Sequence, residues 1–486
     1  RCKRMEHAVW APRSRVGCEI TAEQSAVLPD YYPPIERVVR VSARAAVTSV
    51  TPGETTSVSG ETSFTLLYQS SDGQGLHAYR TSLPFRQSLP LASPSPFCLT
   101  TLPAASCRLS AARRVSFKAV FGLYAEAAAP VSLPLPEKEE GVLFDCREVT
   151  AREQTGALSK RFSISEEVPV EGAAAAVLDA WGDALLRETV GAGGRSVVKG
   201  ELCLSLLVAD PEGAFQRREV SLPVSQILDL PFGDDTQLDA RLTLGDLRAE
   251  VSESDPGGSR IALEADLTID AVSTRPVRLS VVRDAFSPDY PVELERKKVS
   301  LCTSSRRLSG AAELHVPNGE PPAGVPVGAF AQVQSCSAVC AEDGKTSLEG
   351  QLLVSRLLRE EDGRLFTQEE ERPFSFAVDA PAASGGEARA VVAASSWQED
   401  GLRLTLHYDL GLWTTQETEL VAAASCDRAH PRPNGVRAPL TVYFAEPGEP
   451  VWEVAKRYGV DPERIRKANS LEGDVIPERC RLLLPR

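Results

Sequence analysis

The stretch TVYFAEPGEPVWEVAKRYGVDPERIRKANSLEGDVIPERCRLLLPR, residues 441–486, contains the pattern, caps and turns of one small fold. A first helix is predicted after the turn at Pro447-Gly448, because Pro450 suits the start of a helix and apolar residues follow it at helical spacing. Its inward residues are predicted to be Val451, Val454, Ala455 and Tyr458. Gly459 would end this helix in the left-handed conformation.

A second helix is predicted directly afterwards. Asp461 can cap it and Pro462 can occupy its first position. Its inward residues would be Ile465 and Ala468, and it would end at Asn469-Ser470. Apolar strands at Val442-Tyr443 and at Leu482–Leu484 flank the two helices, so the predicted order is strand, helix, helix, strand.

This module resembles a LysM domain. The matching positions are Gly448, Glu449, Trp452, Ala455, Tyr458, Val460, Ile465, Asn469, Ile476, Leu482 and Pro485. The family usually binds glycans that contain N-acetylglucosamine, through the loop after the first strand and the loop after the second helix. The resemblance places these loops at Gly448, Glu449, Pro450 and Val451 and at Ser470, Leu471, Ile476 and Pro477. Both loops depart from the family pattern: GEPV replaces the usual Asp-Thr pair, and IPERCR lacks the favoured glycine-glutamine pair.

The composition of the whole chain excludes several classes of protein. Its 486 residues are enough for three or four domains, and 42% apolar with 25% charged residues is typical of a folded globular protein. A net charge of −14 argues against a general nucleic-acid binder. No run approaches the roughly 18 apolar residues of a membrane helix. The segment RCKRMEHAVWAPRSR at residues 1–15 lacks the apolar core of a signal peptide.

The sequence contains no pattern that indicates catalysis, a metal site or a cofactor. The eleven cysteines form no CxxC pair. This distribution is typical of a protein in a reducing compartment, where cysteines serve as small apolar residues. The five histidines show no metal-ligand spacing, and no GxSxG or phosphate-binding loop is present. The acidic runs at residues 360–362 and 369–371 adjoin turns and favour a solvated surface. His407 and Asp409 are predicted to share one face of a strand, as a surface pair rather than a catalytic dyad.

A threefold internal repeat is the second large feature of the sequence. The stretches VSGETSFTLLYQSSDG from Val58, VKGELCLSLLVADPEG from Val198 and LEGQLLVSRLLREEDG from Leu348 share a glycine, alternating residues and an acidic turn. Their glycines, Gly60, Gly200 and Gly350, are 140 and 150 residues apart. A strand-like run with TSLPF, EVSLPV or ERPFSF follows each turn, which predicts hairpins.

The predicted fold class is therefore mainly β, with tandem antiparallel β-sandwich or barrel-like domains and a small C-terminal βααβ module. The expected domains are residues 1–135, 136–278 and 279–426, followed by a Pro- and Arg-rich linker at 427–439 and the LysM-like module at 440–486. One short helix is also expected around Ala173–Arg187, before the module.

The β domains are similar to SPOCS domains of endospore coat proteins. The first domain matches at Pro29, Asp30, Ile35, Arg37, Gly60, Leu67, Tyr68, Pro84 and Phe85. The third matches at residues 288–291, and the second is more divergent. Tandem SPOCS units followed by a terminal LysM domain are the arrangement of the SipL-like spore coat morphogenetic proteins.

The resemblance implies a non-enzymatic scaffold in the mother-cell cytoplasm, at the forespore surface and in the spore coat. The implied partners are a SpoIVA-like basement-layer ATPase and other coat proteins. A docking face for an acidic partner is expected on the two helices of the module, at Lys456, Arg457, Arg464, Arg466 and Lys467. The alternative is a cell-wall or cortex protein that binds peptidoglycan. Trp452 is expected to pack at the base of the first helix rather than to stack on a sugar.

Overall fold

The structure is a computed structural model that describes residues 4–11, 14–70, 75–93, 95–127, 130–136, 140–255, 258–318, 324–341, 343–432 and 440–485. Within these residues the chain forms 23 strands and two helices, which confirms the prediction of a mainly β protein. The helices are both in the C-terminal module, and neither is long and apolar enough to cross a membrane.

The strands fall into three units. An initial strand, β1 (Arg4–Val9), precedes them. Unit 1, residues 14–127, contains β2 (Ser14–Val27), β3 (Ile35–Thr51), β4 (Thr56–Ser70), β5 (Leu76–Leu89), β6 (Phe97–Thr100), β7 (Ala104–Ala111) and β8 (Arg114–Ala127). After β9 (Val131–Pro136), unit 2, residues 143–286, contains β10 (Leu143–Val170), β11 (Ala176–Ala192), β12 (Arg195–Ala209), β13 (Phe215–Pro231), β14 (Gln237–Asp255) and β15 (Gly258–Phe286). Unit 3, residues 292–426, contains β16 (Val292–Pro317), β17 (Val325–Cys340), β18 (Thr346–Arg359), β19 (Leu365–Val378), β20 (Gly385–Gln398) and β21 (Gly401–Cys426).

Each unit has the same antiparallel topology. Three consecutive strands form a meander sheet, in the orders β3-β4-β5, β11-β12-β13 and β17-β18-β19. The first and last strands of the unit pair in a second sheet, which the penultimate strand joins, as in β10-β15-β14 and β16-β21-β20. In unit 1 the penultimate strand is divided into β6 and β7, which both pair with β8. The three repeats read from the sequence are therefore three copies of one sheet arrangement.

The repeated glycines lie at the centre of each meander sheet, opposite the repeated LPF-type motif. Gly60 pairs across the sheet with Phe85, Gly200 with Val224 and Gly350 with Phe374. A side chain at Gly60 or Gly350 would collide with the ring of its partner phenylalanine and with a backbone carbonyl. At Gly200 the leucine Leu242 fills the equivalent space. A larger side chain thus covers the glycine in each unit, and in units 1 and 3 it is the phenylalanine of the LPF-type motif, so in those units the two motifs pack on each other.

The acidic turns of units 2 and 3 connect strands as predicted. The Gly213 N–H bonds to the Asp210 carbonyl at 3.1 Å, and the Gly363 N–H bonds to the Glu360 carbonyl at 3.0 Å. Both glycines have a positive φ, 86° and 85°, which suits glycine alone among common residues. The corresponding turn of unit 1, after Ser70, lies outside the described residues.

The prediction of a short helix around residues 173–187 is wrong, because this segment lies mostly in β11. β11 pairs with β12 along its whole length, and sheet pairing outweighs the helix propensity of its alanines. Asp179 follows a β-bulge in β11, and its carboxylate is buried against an arginine of unit 1.

Two expected domain boundaries fall at or within strands. The boundary after residue 135 falls at the last residues of β9, which pairs with β1 rather than forming an open linker. The boundary after residue 278 falls inside β15, since this strand continues to Phe286 to pair with Leu143. Residues 433–439 of the expected linker lie outside the described residues.

The C-terminal module has the predicted order: β22 (Leu440–Ala445), α1 (Val451–Tyr458), α2 (Pro462–Asn469) and β23 (Cys480–Pro485). Gly459 ends α1 with φ 61°, and the Asp461 carboxylate caps α2 by accepting a hydrogen bond from the Glu463 N–H at 2.9 Å. The prediction that Ala468 faces inward is wrong, because its side chain is exposed on the outer side of α2.

An apolar hub joins the three meander sheets. Leu67, Leu207 and Leu357, which follow the repeated glycines by seven residues, meet in one buried cluster. The cluster also contains Val39, Leu76, Leu178, Trp181, Ala209, Phe330 and Leu365. Equivalent positions of all three units thus converge, so the repeats surround a common centre.

Candidate functional site

The C-terminal module packs against the end of unit 2 through α1. The Trp452 indole N–H donates to Asp284 Oδ2 at 2.9 Å, and its ring contacts Phe286 edge-on with centroids 5.0 Å apart. Lys456 Nζ donates to the same carboxylate oxygen at 2.6 Å. Trp452 is 8% exposed. The tryptophan is a packing residue, as predicted from the sequence, but it packs against another unit as well as within its own module.

Asp284 is the charged centre of this contact. Burial by itself raises the pKa of its carboxyl group, but the hydrogen bonds from Lys456 and Trp452 outweigh burial and hold the pKa below its ordinary value. Arg296 of unit 3 donates to the other oxygen at 3.0 Å. One carboxylate therefore joins the module to units 2 and 3.

The two loops implied by the LysM resemblance lie side by side. The Gly448 N–H bonds to the Ile476 carbonyl at 2.8 Å, and the Ile476 N–H bonds to the Glu449 carbonyl at 3.0 Å. The Val451 N–H bonds to the Asp474 carbonyl at 2.9 Å. The structure thus brings together loops that are more than 20 residues apart in sequence.

Not every implied loop residue is available to a ligand. Val451 and Ile476 are buried in the core of the module. Glu449 accepts hydrogen bonds from the Tyr443 hydroxyl at 2.8 and 2.9 Å. Pro477 and Ser470 are exposed, Gly448 is exposed in the turn with φ 84°, and Pro450 and Leu471 are half-buried.

The five basic residues of the expected docking face have different surroundings. Lys456 faces the body of the protein at Asp284, and Arg457 donates to the Tyr443 hydroxyl at 3.1 Å. Arg466 is paired with Asp474 at 2.8 Å. Arg464 and Lys467, both exposed on α2, make no ion pair within the described part of the chain. Of these five residues, only Arg464 and Lys467 on α2 therefore present exposed positive charge without an ion pair in the described residues.

The predicted surface pair of His407 and Asp409 is wrong. Asp409 is 1% exposed and pairs with Arg307, with 2.8 Å between carboxylate and guanidinium. His407 instead lies at the contact between units 2 and 3, with its Nδ1 3.0 Å from Glu201 Oε2. Packing of unit 2 against this face of β21 covers both side chains, which strand alternation alone cannot reveal.

Glu201, Cys203 and His407 together offer three atoms of metal-ligand type within 4.8 Å of one another. Arg187 lies among them, 2.6 Å from Glu201 Oε2, and also contacts His407 Nδ1. Burial and, to a smaller extent, the nearby Glu201 carboxylate raise the pKa of the Cys203 thiol to about 12. Because a guanidinium already neutralises the carboxylate and the thiol is held protonated, the residues fit a polar contact between units better than a metal centre.

The acidic runs are not simply solvated, because they connect unit 3 to arginines. Arg37 of unit 1 makes two hydrogen bonds to Glu360, at 2.8 and 2.9 Å. Glu369 lies 3.4 Å from Arg40, and Glu370 pairs with Arg356 at 2.7 Å. The runs therefore contribute to contacts between and within units, and the local sequence pattern does not reveal these contacts.

Arg40 is the most connected of these arginines. It lies in the hub, 6% exposed, and donates to Asp179 of unit 2 at 2.7 Å. Its guanidinium lies over the rings of Trp181 and Phe330, 5.5 and 4.6 Å from their centroids. One residue of unit 1 thus contacts both other units.

The cysteines of the described residues are all free. Cys203 and Cys302 are buried, whereas Cys146 is exposed. Burial raises the pKa of the thiols of Cys98 and Cys336 to about 12, which disfavours the reactive thiolate.

Comparison with known proteins gave no matching family model, no matching curated protein and no matching solved structure.

Proposed function

We propose that this chain is a non-enzymatic scaffold of endospore coat assembly that docks through its C-terminal module. The sequence resemblance to tandem SPOCS units with a terminal LysM domain supports this class. In this proposal the three β units present surfaces to other coat proteins, and the module binds a SpoIVA-like basement-layer protein. The sandwich character of the β units and the LysM character of the module belong to the same proposal.

The observation that carries the docking proposal is the division of charge between the two helices. Lys456 on α1 is turned toward Asp284, whereas Arg464 and Lys467 on α2 face solvent without an ion pair in the described residues. The chain as a whole has a net charge of −14, but these two exposed cations have no carboxylate paired with them in the described residues. Such a face suits an acidic protein surface, because complementary charges speed association and fix orientation.

The test measures binding of the full-length chain to the purified basement-layer ATPase and, in parallel, to insoluble peptidoglycan. Arg464→Glu with Lys467→Glu is expected to weaken binding to the protein at least about tenfold, since two attractive contacts become repulsive. The matched control is Lys297→Glu with Lys298→Glu, which makes the same charge change at exposed positions of β16.

Equal loss in both variants would assign the effect to overall charge and contradict docking through α2. Binding to peptidoglycan without binding to the ATPase would replace the scaffold by the glycan-binding alternative. The full chain is used because Trp452 would lose its partners in an isolated module.

A further inference from the structure

A cavity of about 940 Å³ lies where the three units meet. The strands β3, β11 and β17 line it, together with β14 and β20 and the segment at residues 96–103. Small-molecule sites in proteins usually enclose about 300–1,000 Å³. The cavity is thus large enough for a ligand and is bounded by every unit.

The unit 1 wall of this cavity is the outer face of the meander sheet. Strand alternation turns Phe64 and Leu66 into the core and sends Ser63 and Thr65 to the cavity side. In the register of the sheet, Ser63 lies opposite Arg44, and Thr65 lies opposite Arg80. Two hydroxyls of β4 are therefore flanked by an arginine on each neighbouring strand.

Arg44 is an incompletely compensated cation. Its guanidinium donates to the Gly182 carbonyl at 3.1 Å and makes no ion pair among the residues that the structure describes. Burial lowers the pKa of Arg44 despite the more distant carboxylates of Asp183, Asp179 and Asp246. The uncompensated charge is costly in such surroundings, and an anion in the cavity would relieve that cost.

Two other arginines that line the cavity differ from Arg44 because they are paired with carboxylates. Arg241 is paired with Glu126 at 2.9 Å and Glu387 at 2.8 Å, and Arg307 is paired with Asp409. Arg80, like Arg44, bonds only to a backbone carbonyl, that of Val177 at 3.0 Å, and has no ion pair in the described ranges. Arg161 of β10 also lines the cavity and bonds only to a backbone carbonyl, that of Val47 at 2.9 Å. Within the described residues, Arg44 and Arg80 are the cations of the unit 1 wall that lack an ion pair.

Ser63 and Thr65 complete this wall as hydrogen-bond donors. Both side chains are partly accessible, and neither hydroxyl makes a hydrogen bond within the described part of the molecule. Guanidinium groups with adjacent hydroxyls are the donors that bind phosphate and carboxylate oxygens.

We infer that the central cavity binds a small oxyanion, a molecule bearing a phosphate or a carboxylate group. Arg44 and Arg80 hold its charge, and the hydroxyls of Ser63 and Thr65 donate to its oxygens. This binding activity is separate from docking through the module. Because the cavity walls come from all three units, the bound anion stabilises their assembled arrangement through mass action.

The test uses the full-length chain, with inorganic phosphate and citrate as separate probes and glucose as a neutral probe, in calorimetric titration at constant ionic strength. The expected result is binding of at least one anion and none of glucose. Arg44→Gln and Arg80→Gln should each weaken anion binding at least about tenfold, as loss of a charge-assisted hydrogen bond does. Arg86→Gln is the control, because Arg86 is exposed on β5 outside the cavity lining.

The comparison of phosphate with citrate identifies which oxyanion the site prefers. Circular dichroism and thermal unfolding verify that the variants fold, and the exposed Arg80 supplies an informative variant even if Arg44→Gln does not fold. Absence of binding to both anions, or equal weakening by Arg86→Gln, would overturn the inference. The ATPase-binding assay separates this result from docking, since the cavity variants leave α2 unchanged.

Discussion

At the residue scale, the internal repeat is marked by a glycine in each unit: Gly60, Gly200 and Gly350. Each lies in the middle strand of a meander sheet. A phenylalanine from the neighbouring strand covers Gly60 and Gly350, and Leu242 from the other sheet of unit 2 covers Gly200. The sequence predicted the repeat from these glycines, because their spacing and the following LPF-type motifs are visible in it. It did not reveal that glycine and phenylalanine pair across the sheet, since that contact depends on strand register.

Gly350→Ala is predicted to destabilise unit 3 by about 1–3 kcal/mol, the usual cost of overpacking a filled site. The added methyl group would collide with the Ser335 carbonyl and the ring of Phe374. Urea denaturation followed by circular dichroism measures the effect. Gly328→Ala is the control, because an added Cβ there meets no atom within 4 Å. Similar midpoints for the two variants would contradict this account of the repeated glycine.

At the element scale, α1 and α2 of the module were largely predictable. Their caps depend on local residues, and Gly459, Asp461 and Pro462 act within one turn of the chain. The contact of α1 with unit 2 was not predictable, because Asp284 is 168 residues from Trp452. The strand β11 was not predictable for a similar reason, because its pairing with β12 rather than its local sequence favours a strand over a helix.

The packing of the C-terminal module against unit 2, called docking in this paragraph and the next, is predicted to depend on pH through Asp284. Its pKa lies below the ordinary value, so the carboxylate stabilises docking above the unfolded pKa of about 3.9, and this stability is lost as the pH falls through the lower folded pKa. Fluorescence of Trp452 should report greater exposure under these acidic conditions. Asp284→Asn should produce part of this change already at neutral pH, because the pair with Lys456 is lost.

Asp474→Asn is the matched control for this titration. Asp474 pairs with Arg466 on the outer side of the module, away from Trp452. A fluorescence change equal to that of Asp284→Asn would show that the signal does not arise from docking. A titration curve unchanged by Asp284→Asn would contradict the assignment of the carboxylate.

At the scale of the whole molecule, contacts between units are polar around an apolar hub. Arg40 joins unit 1 to Asp179 of unit 2 and to the ring of Phe330 in unit 3. Arg37 adds a half-exposed pair with Glu360. The three units therefore share one topology, but the charged residues that join them around the hub differ from unit to unit.

Arg40→Ala is predicted to destabilise the assembled units by about 3–5 kcal/mol, because it leaves the buried Asp179 without its cation. The double variant Arg40→Met with Asp179→Leu should recover much of that loss, since no unpaired charge remains. Arg37→Met should cost no more than about 1 kcal/mol, as half-exposed pairs do. Urea denaturation measures the losses, and small-angle scattering detects separation of the units.

The outcome for the double variant decides between two roles of the ion pair. A double variant as unstable as Arg40→Ala would mean that the pair itself, rather than the unpaired carboxylate, determines the stability of this contact. A loss for Arg37→Met equal to that for Arg40→Ala would contradict the role of burial.

The sequence by itself determined the mainly β class, the three repeats, the hairpin turns and the order of elements in the module. These features depend on alternation, glycine turns and caps, which act between residues close along the chain. The tertiary structure alone decided the hub, the burial of Asp409 and partial burial of His407, the contact of Trp452 with Asp284 and the cavity beside Arg44. These depend on residues more than 100 positions apart, and their proximity is set by how the three units pack together.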